Sequence, residues 1–195
     1  MGAVHVLRIS LPEEEGLALL LSLAFIPARY AGDVAGLPGG DWSSMTSFVS
    51  YMFVHGDWTH LIVNLMWMLA FGSAVAKRIG SARFLVFSAV CGVAGAVVHL
   101  VLHFGEAIPV VGASAAISGQ MAAAVRFMFG ARAAHSEPSQ GIRTVPLASI
   151  SRTLVNPHFL AFLAVWVLLN LLFGLGGVQL DTGGSSIAWE AHIGG

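Results

Sequence analysis

Long apolar runs separated by short polar stretches dominate the chain from residue 58 onward. A helix needs about 20 mostly apolar residues to cross the hydrocarbon core of a bilayer. Four segments have this character: 58–76, 84–102, 113–129 and 158–178. A fifth apolar stretch begins near Ser186 and is cut off at Gly195. The pattern predicts an all-α polytopic membrane helix bundle with about four complete spans and a truncated last one.

The first 57 residues are patterned differently. The apolar stretch from Gly16 to Ile26 would reach only about 16 Å as a helix, short of a core that is ~30 Å thick. We therefore expect an interfacial helix that ends at Pro27. The predicted organisation is a single membrane domain over 1–195, incomplete at both ends. In it, 1–57 form an outer loop and interfacial segment, and 58–195 form the helical core.

Composition supports a membrane assignment. Hydrophobic residues make up 56% of the chain and charged residues only 10%, whereas soluble domains carry roughly a quarter charged residues. The net charge is −1, so no basic surface suggests nucleic acid. The single cysteine, Cys91, excludes an internal disulfide and a cysteine-based metal site.

Lysine and arginine between the spans predict the orientation of the bundle. They concentrate near residues 77–83 and 132–152, and positively charged loops stay in the cytoplasm. The segment before Trp58 and the loops near Gly105 and at 179–185 are therefore expected to face outward. The loop over 130–157 contains three prolines and is expected to be irregular.

Four of the polar residues in the predicted spans stand out: His60, Asn64, Ser114 and His192. Polar groups inside a membrane are costly and are candidates for function. His60 and Asn64 are spaced i, i+4 and share a helix face, and His192 lies about six residues, or about 9 Å, into the last helix. Because Ser114 follows non-helical backbone, it requires surrounding protein or a water-filled cavity. The predicted topology thus brings all four to similar depth in an outward-opening cavity.

This set of side chains suits nucleophilic catalysis. A serine hydroxyl needs an adjacent base, and a neutral imidazole such as His192 supplies one. Asn64, His60 and the free N–H groups at the helix start are candidate donors to an oxyanion. Glu190 is two residues from His192 and is expected on another helix face. A Ser-His dyad is therefore the simpler hypothesis.

Packing roles are alternatives for these residues. Ser114 is small enough to serve close helix packing, and Asn64 can act as a structural hydrogen-bonding residue between helices. Ser118 is a rival nucleophile one turn along, but it lacks the preceding G-x and is interpreted as packing. The sequence CGVAGAVV also indicates close helix packing.

Further histidines and aromatic residues lie at predicted helix ends. His99 and His103 are spaced i, i+4, and we interpret them as interfacial histidines at a wet helix end, with ligation of a metal or haem as the alternative. His55 is expected to structure the outer loop. Trp42, Trp58 and Tyr51 fit an interfacial aromatic belt.

Three motifs, HGDWTHLIVNLMWMLAFGSAVAKRIG, VVGASAAISG and AHIGG, resemble the rhomboid family in order and spacing. The resemblance runs from about Pro27 to Gly195. It implies a six-helix core with an active site open to the outside, with Ser114 as nucleophile and His192 as general base. His60 and Asn64 correspond to the family's oxyanion-side residues. No cofactor or metal is implied.

The sequence departs from the family pattern at several points. Ala115 replaces the usual glycine after the nucleophile and is expected to crowd the oxyanion hole slightly. Ser118 stands where an aromatic residue often packs against the base. The family's first helix is missing, and the last helix stops after the A-H-x-x-G motif.

The expected function is that of an intramembrane serine endopeptidase. Its expected partners are single-span transmembrane substrates and the lipid bilayer, with cleavage near the outer membrane boundary and a location in a bacterial cytoplasmic membrane. One alternative is a catalytically inactive rhomboid relative that binds membrane proteins. Another is a haem- or quinone-binding electron carrier, for which a Soret band would be diagnostic.

Overall fold

Helices account for nearly all of the regular structure in the computed structural model of the chain. It describes residues 1–32, 36–133, 149–174 and 188–195, apart from the side chains of 128–133 and 173–174. The α-helices are α1 (Gly2–Ser10), α2 (Glu13–Leu23), α3 (Gly40–Ser50), α4 (Trp58–Trp67), α5 (Ser73–Ile79), α6 (Ser81–Leu102), α7 (Ser114–Ala133), α8 (Ile150–Leu154), α9 (Pro157–Gly174) and α10 (Trp189–Gly194). The predicted all-α fold is confirmed.

One continuous helix from Trp58 to Ile79 is built from α4, a π-helical turn over Met68–Gly72, and α5. Its first turn is capped by Asp57, whose Oδ1 accepts the His60 N–H at 2.8 Å. Asparagine, aspartate and serine are preferred at this position because they satisfy an orphan N–H group. The helix stops at Gly80, whose φ of 85° lies in the left-handed region that favours glycine.

Helices form at all the predicted apolar segments, but not all of the described helices have the length and hydropathy required of a membrane span. Among the described residues, two helices are long and apolar enough to cross a membrane: Trp58–Ile79 and Ser81–Leu102. The described apolar part of α9, Pro157–Leu172, is shorter. The described part of α7 is interrupted by polar residues such as Gln120 and Arg126. By this criterion the described residues contain two of the four predicted complete spans.

The two spanning candidates expose most of their apolar surface. Only 22% and 28% of their apolar windows are buried inside the protein. Large side chains such as Leu69, Leu85 and Val101 are more than 60% exposed. A core helix of a soluble domain would bury these groups, so the exposed surface requires another apolar environment, as lipid provides.

Close contact between helix backbones brings α6, α7 and α10 together. A Cβ atom placed on Gly95 of α6 would lie 2.6 Å from both the Ala115 Cβ and the Ala191 carbonyl oxygen. Only glycine permits this separation, and small residues are enriched where membrane helices approach closely. The close packing predicted for this part of α6 is confirmed.

The loop before α7 is anchored by the segments around Phe25 and Tyr51. Phe25 and Val110 exchange backbone hydrogen bonds of 3.0 and 2.8 Å, and the Tyr51 carbonyl accepts the Gly112 N–H at 2.9 Å. The Tyr51 hydroxyl donates to the Gly92 carbonyl at 2.7 Å. Tyr51 is fully buried, so its assignment to an interfacial belt is wrong. Its ring fills the core, and its hydroxyl has a partner there.

The other loop predictions have mixed outcomes. The predicted irregular loop over 130–157 contains the end of α7 and helix α8, so it is partly helical. Its residues 134–148 lie outside the described residues, as do Asp33 and the outer loop over 179–185. The apolar stretch near Gly16 forms α2, which ends at Leu23, and a short 3₁₀ helix begins at Pro27.

Candidate active site

The start of α7 presents Ser114 on unusual backbone. Gly112 has a φ of 101°, a conformation that glycine adopts without the penalty of a side chain. The first hydrogen bond of α7 runs from the Ile117 N–H to the Ala113 carbonyl at 2.9 Å. The N–H groups of residues 114–116 precede it and have no acceptor within the helix. They are available to bind negative charge beside Ser114.

Ser114 and His192 are in direct contact. The Nε2 atom of His192, on α10, lies 2.7 Å from the Ser114 Oγ, within the distance needed for proton transfer between a nucleophile and its base. Both side chains are half-buried, whereas Ala115 and Ala116 are buried. The reactive groups therefore remain accessible while the backbone that carries them is packed.

A third residue, Asn170 on α9, contacts the other side of the imidazole. Its Oδ1 lies 2.5 Å from the His192 Nδ1. An amide oxygen only accepts hydrogen bonds, so Nδ1 carries the hydrogen and the lone pair is on Nε2, facing Ser114. This is the tautomer that a general base for the serine requires. The Asn170 amide is oriented in turn by its own donation to the Trp166 carbonyl at 2.8 Å.

Sequence reasoning missed Asn170. The signal was present, because this asparagine interrupts the most apolar segment of the chain and polar groups in spans are candidates for function. What the sequence does not contain is the rotation of α9 about its axis, which decides whether Asn170 faces the bundle.

His60 and Asn64 lie on α4 beside the loop that leads to Ser114. A Cβ atom on Gly112 would come within 2.5 Å of the His60 Nε2, so the imidazole rests directly on this glycine. Asn64 is buried, and its Nδ2 donates one hydrogen to the His60 carbonyl at 2.9 Å. Its Oδ1 has no hydrogen-bond partner among the described residues. Both residues thus lie on one face of α4.

His55 is the neighbour of His60. Its ring is fully buried and lies 5.0 Å from the His60 ring in an edge-to-face arrangement. Burial, aided by the nearby His60 and His5, lowers the pKa of His55 to about 3. His55 is therefore a neutral packing group at physiological pH.

Ser118 and Ala115 have structural contacts. The Ser118 Oγ donates to the Ser114 carbonyl at 2.9 Å, one turn back in the same helix. The Ala115 methyl group is buried against Gly95 of α6. The methyl group therefore packs between α7 and α6, whereas the sequence predicts that it would crowd the oxyanion hole.

Glu190 faces away from His192, as expected. Its Oε1 lies 2.7 Å from the His99 Nδ1 and 3.3 Å from the His103 Nε2. His99 is fully buried, so the interpretation of this residue as an interfacial histidine is wrong. A buried polar group needs a partner, and Glu190 from α10 provides it.

The comparisons with known proteins identify the family. A family model described as Rhomboid domain matches residues 42–195, which is most of the chain and includes all three motifs. A search of curated proteins found no match. Rhomboid proteins are embedded in membranes and are typically intramembrane serine proteases. The match, the all-helical fold and the motifs agree, and the chain therefore belongs to the rhomboid family.

Proposed function

We propose that this protein is an intramembrane serine endopeptidase that acts through a dyad of Ser114 and His192. The observation that carries the proposal is the 2.7 Å contact between the Ser114 Oγ and the His192 Nε2. The contact of Asn170 with the other ring nitrogen leaves the lone pair on the correct side of the ring. A serine used only for packing would not need this arrangement.

In the proposed reaction, His192 Nε2 takes the hydroxyl proton while the Ser114 Oγ bonds to the scissile carbonyl carbon. The resulting oxyanion is stabilised by the N–H groups at the start of α7, with His60 and Asn64 as further donors. The imidazolium then protonates the leaving amine as the C–N bond breaks. Water, deprotonated by His192, hydrolyses the acyl-enzyme and restores the serine.

Substrates of the proposed enzyme are single-span transmembrane proteins, cut near the outer membrane boundary. The exposed apolar side chains of the two spanning candidates support a lipid environment for enzyme and substrate. The helix Trp58–Ile79 carries His60 in its first turn and Lys77 and Arg78 in its last turn. The positive-inside rule assigns this last turn to the cytoplasm, so His60, and with it Ser114 and His192, lies toward the outer side. We place the protein in a bacterial cytoplasmic membrane.

Labelling with a fluorophosphonate serine probe tests the proposal. The purified protein should be labelled, Ser114→Ala should not be, and the matched control Ser118→Ala should retain labelling. Cleavage of a single-span reporter protein should follow the same order. A folded wild-type protein that neither labels nor cleaves would favour the inactive, membrane-protein-binding alternative. Labelling that survives in Ser114→Ala and disappears in Ser118→Ala would overturn the nucleophile assignment.

A further inference from the structure

A second polar cluster lies apart from the Ser114–His192 contact and joins α6 to α10. It consists of His99, His103 and Glu190, which we call the His-Glu cluster. One ligand atom from each residue lies within 4.8 Å of the other two. His99 and Glu190 are buried, whereas the His103 side chain is 29% exposed. The cluster is therefore reachable from solvent on one side only.

The distances inside the cluster centre on one carboxylate oxygen. Glu190 Oε1 lies 2.7 Å from the His99 Nδ1 and 3.3 Å from the His103 Nε2. His99 lies in the last turn of α6 and His103 directly follows the helix, and their ring centroids are 4.7 Å apart. Two ring nitrogens and one carboxylate oxygen thus face a common point.

The outer nitrogens of both rings also have oxygen partners. The His103 Nδ1 lies 3.0 Å from the Glu106 Oε2, and the His99 Nε2 lies 3.3 Å from the Ile108 carbonyl oxygen. These oxygens can accept the outer N–H of each ring. In that tautomer each ring presents the lone pair of its inner nitrogen toward Glu190.

A proton can join Glu190 Oε1 to one ring nitrogen, whereas a metal ion can be bound by all three atoms at once. We propose that the His-Glu cluster is a binding site for a divalent metal ion of the zinc class, held by the His99 Nδ1, the His103 Nε2 and the Glu190 Oε1. Two imidazoles and one carboxylate form a known ligand set for zinc, with a fourth position open to water.

The outer contacts strengthen this assignment. Histidines that bind a metal almost always donate their other N–H to a carboxylate or a backbone carbonyl, which fixes the tautomer and the ring orientation. Glu106 and the Ile108 carbonyl occupy these positions. A zinc–nitrogen distance of about 2.0–2.1 Å separates tetrahedral ligand atoms by roughly 3.3 Å, as for His103 and Glu190. The 2.7 Å contact between His99 and Glu190 must open slightly to admit the ion.

The site has a structural consequence for α10. Glu190 is two residues before His192 on this short helix, so an ion bound to Glu190 would fasten α10 to α6. The ion would stabilise the folded protein because it binds the assembled ligands more tightly than the unfolded chain. Any effect on proteolysis rests on the proposed function, whereas binding of the ion does not.

The test uses Co²⁺ as a spectroscopic probe and Zn²⁺ as its competitor. The full chain, purified in detergent and freed of metal with a chelator, should bind one equivalent of Co²⁺ with a visible ligand-field band that Zn²⁺ removes. Zn²⁺ should also raise the melting temperature. His103→Ala and Glu190→Gln should each weaken binding more than 100-fold, and Glu106→Gln should weaken it by about 10-fold, the range for partners of a metal ligand.

His158→Ala removes an exposed histidine on α9 and is the matched control that should bind like the wild type. Ser114→Ala should also keep full binding, so failure of the protease proposal and failure of the metal proposal are separable. Folding of each variant is checked by its melting curve without metal. If the folded wild type binds no Co²⁺, or if His103→Ala binds as tightly as the control, protons rather than a metal hold the cluster together.

Discussion

The Asn170 Oδ1 and the His192 Nδ1 are 2.5 Å apart, on the side of the imidazole opposite to Ser114. An asparagine offers a fixed acceptor without a negative charge. A carboxylate at this position on the apolar helix α9 would be costly inside a membrane unless it were paired. The amide therefore sets the ring orientation at a lower cost in desolvation, which makes Asn170 a positioning residue in the proposed mechanism.

Replacement of Asn170 tests this role. Asn170→Leu should lower kcat by about 10- to 100-fold, because general base catalysis contributes roughly 10²–10⁴-fold and depends on the correct tautomer. Asn170→Asp keeps an oxygen acceptor and should retain more activity. The rates of reporter cleavage and of probe labelling measure both effects. A Leu variant that labels at the wild-type rate would show that Asn170 only packs.

Asn64 and His60 should stabilise charge that develops in the transition state. Asn64→Ala should therefore lower kcat more than it raises KM. One oxyanion donor is worth about 10²–10³ in kcat. We expect Asn64→Ala to lower kcat by about 10²-fold or less, because the α7 N–H groups also stabilise the oxyanion. The double variant with His60→Ala should be worse than either alone.

Melting temperature must be measured beside these kinetics. The Asn64 amide donates to a carbonyl of its own helix. Asn64→Ala should therefore remove little hydrogen bonding between helices, where an average bond in a membrane contributes about 0.6 kcal/mol. A strongly destabilised Asn64→Ala with unchanged kcat in the folded fraction would make this residue structural.

Gly112 and Gly105 form a matched pair for testing the contact with His60. Both have positive φ, 101° and 82°, so alanine at either should cost stability, roughly 1–2 kcal/mol for a left-handed residue. Only at Gly112 would the new methyl group strike His60, because the nearest atom at Gly105 is 3.6 Å away. Gly112→Ala should therefore lose more than about 10-fold in kcat, whereas Gly105→Ala should lose stability alone. Equal kcat losses would contradict this contact.

His55 should make stability depend on pH. Its pKa is about 3 when folded, below the value of about 6.5 expected for an unfolded chain. As pH falls, the unfolded state therefore binds the proton before the folded state does. The free energy of unfolding is unaffected by His55 above about pH 6.5 and decreases as pH falls from there toward 3. Melting temperature measured between pH 4 and 8 should decline on the acidic side. His55→Asn should flatten that decline, and an unchanged slope would exclude His55 as its source.

The positions predicted from sequence are those carried by local motifs. Ser114 and His192 could be identified because a glycine two residues before a serine, or an alanine before a histidine, is visible within a few residues. Helix rise and loop charge alone predict that these residues reach similar depth, and the contact between the two side chains agrees with that prediction. The resemblance to the rhomboid family comes from the same short stretches.

Residues missed by sequence reasoning depend on contacts between distant helices. Asn170 meets His192 only because α9 is rotated toward α10, and the sequence does not specify that rotation. The sequence around His99 indicates an interfacial histidine, whereas its buried partner Glu190 lies 91 positions later in the chain. The sequence places Tyr51 among interfacial aromatic residues, yet its hydroxyl donates to the Gly92 carbonyl inside the core.

The π-helical turn over Met68–Gly72 has an evolutionary consequence. One extra residue in a turn advances the helix face by about 100°, since an α-helix has 3.6 residues per turn. Val75, which follows the turn, packs with Ala124 and Phe127 of α7, so its orientation relative to His60 and Asn64 depends on the extra residue. Relatives that lack the turn should carry a one-residue gap within Met68–Gly72, and deleting a residue there should turn Val75 out of its contact while His60 stays in place.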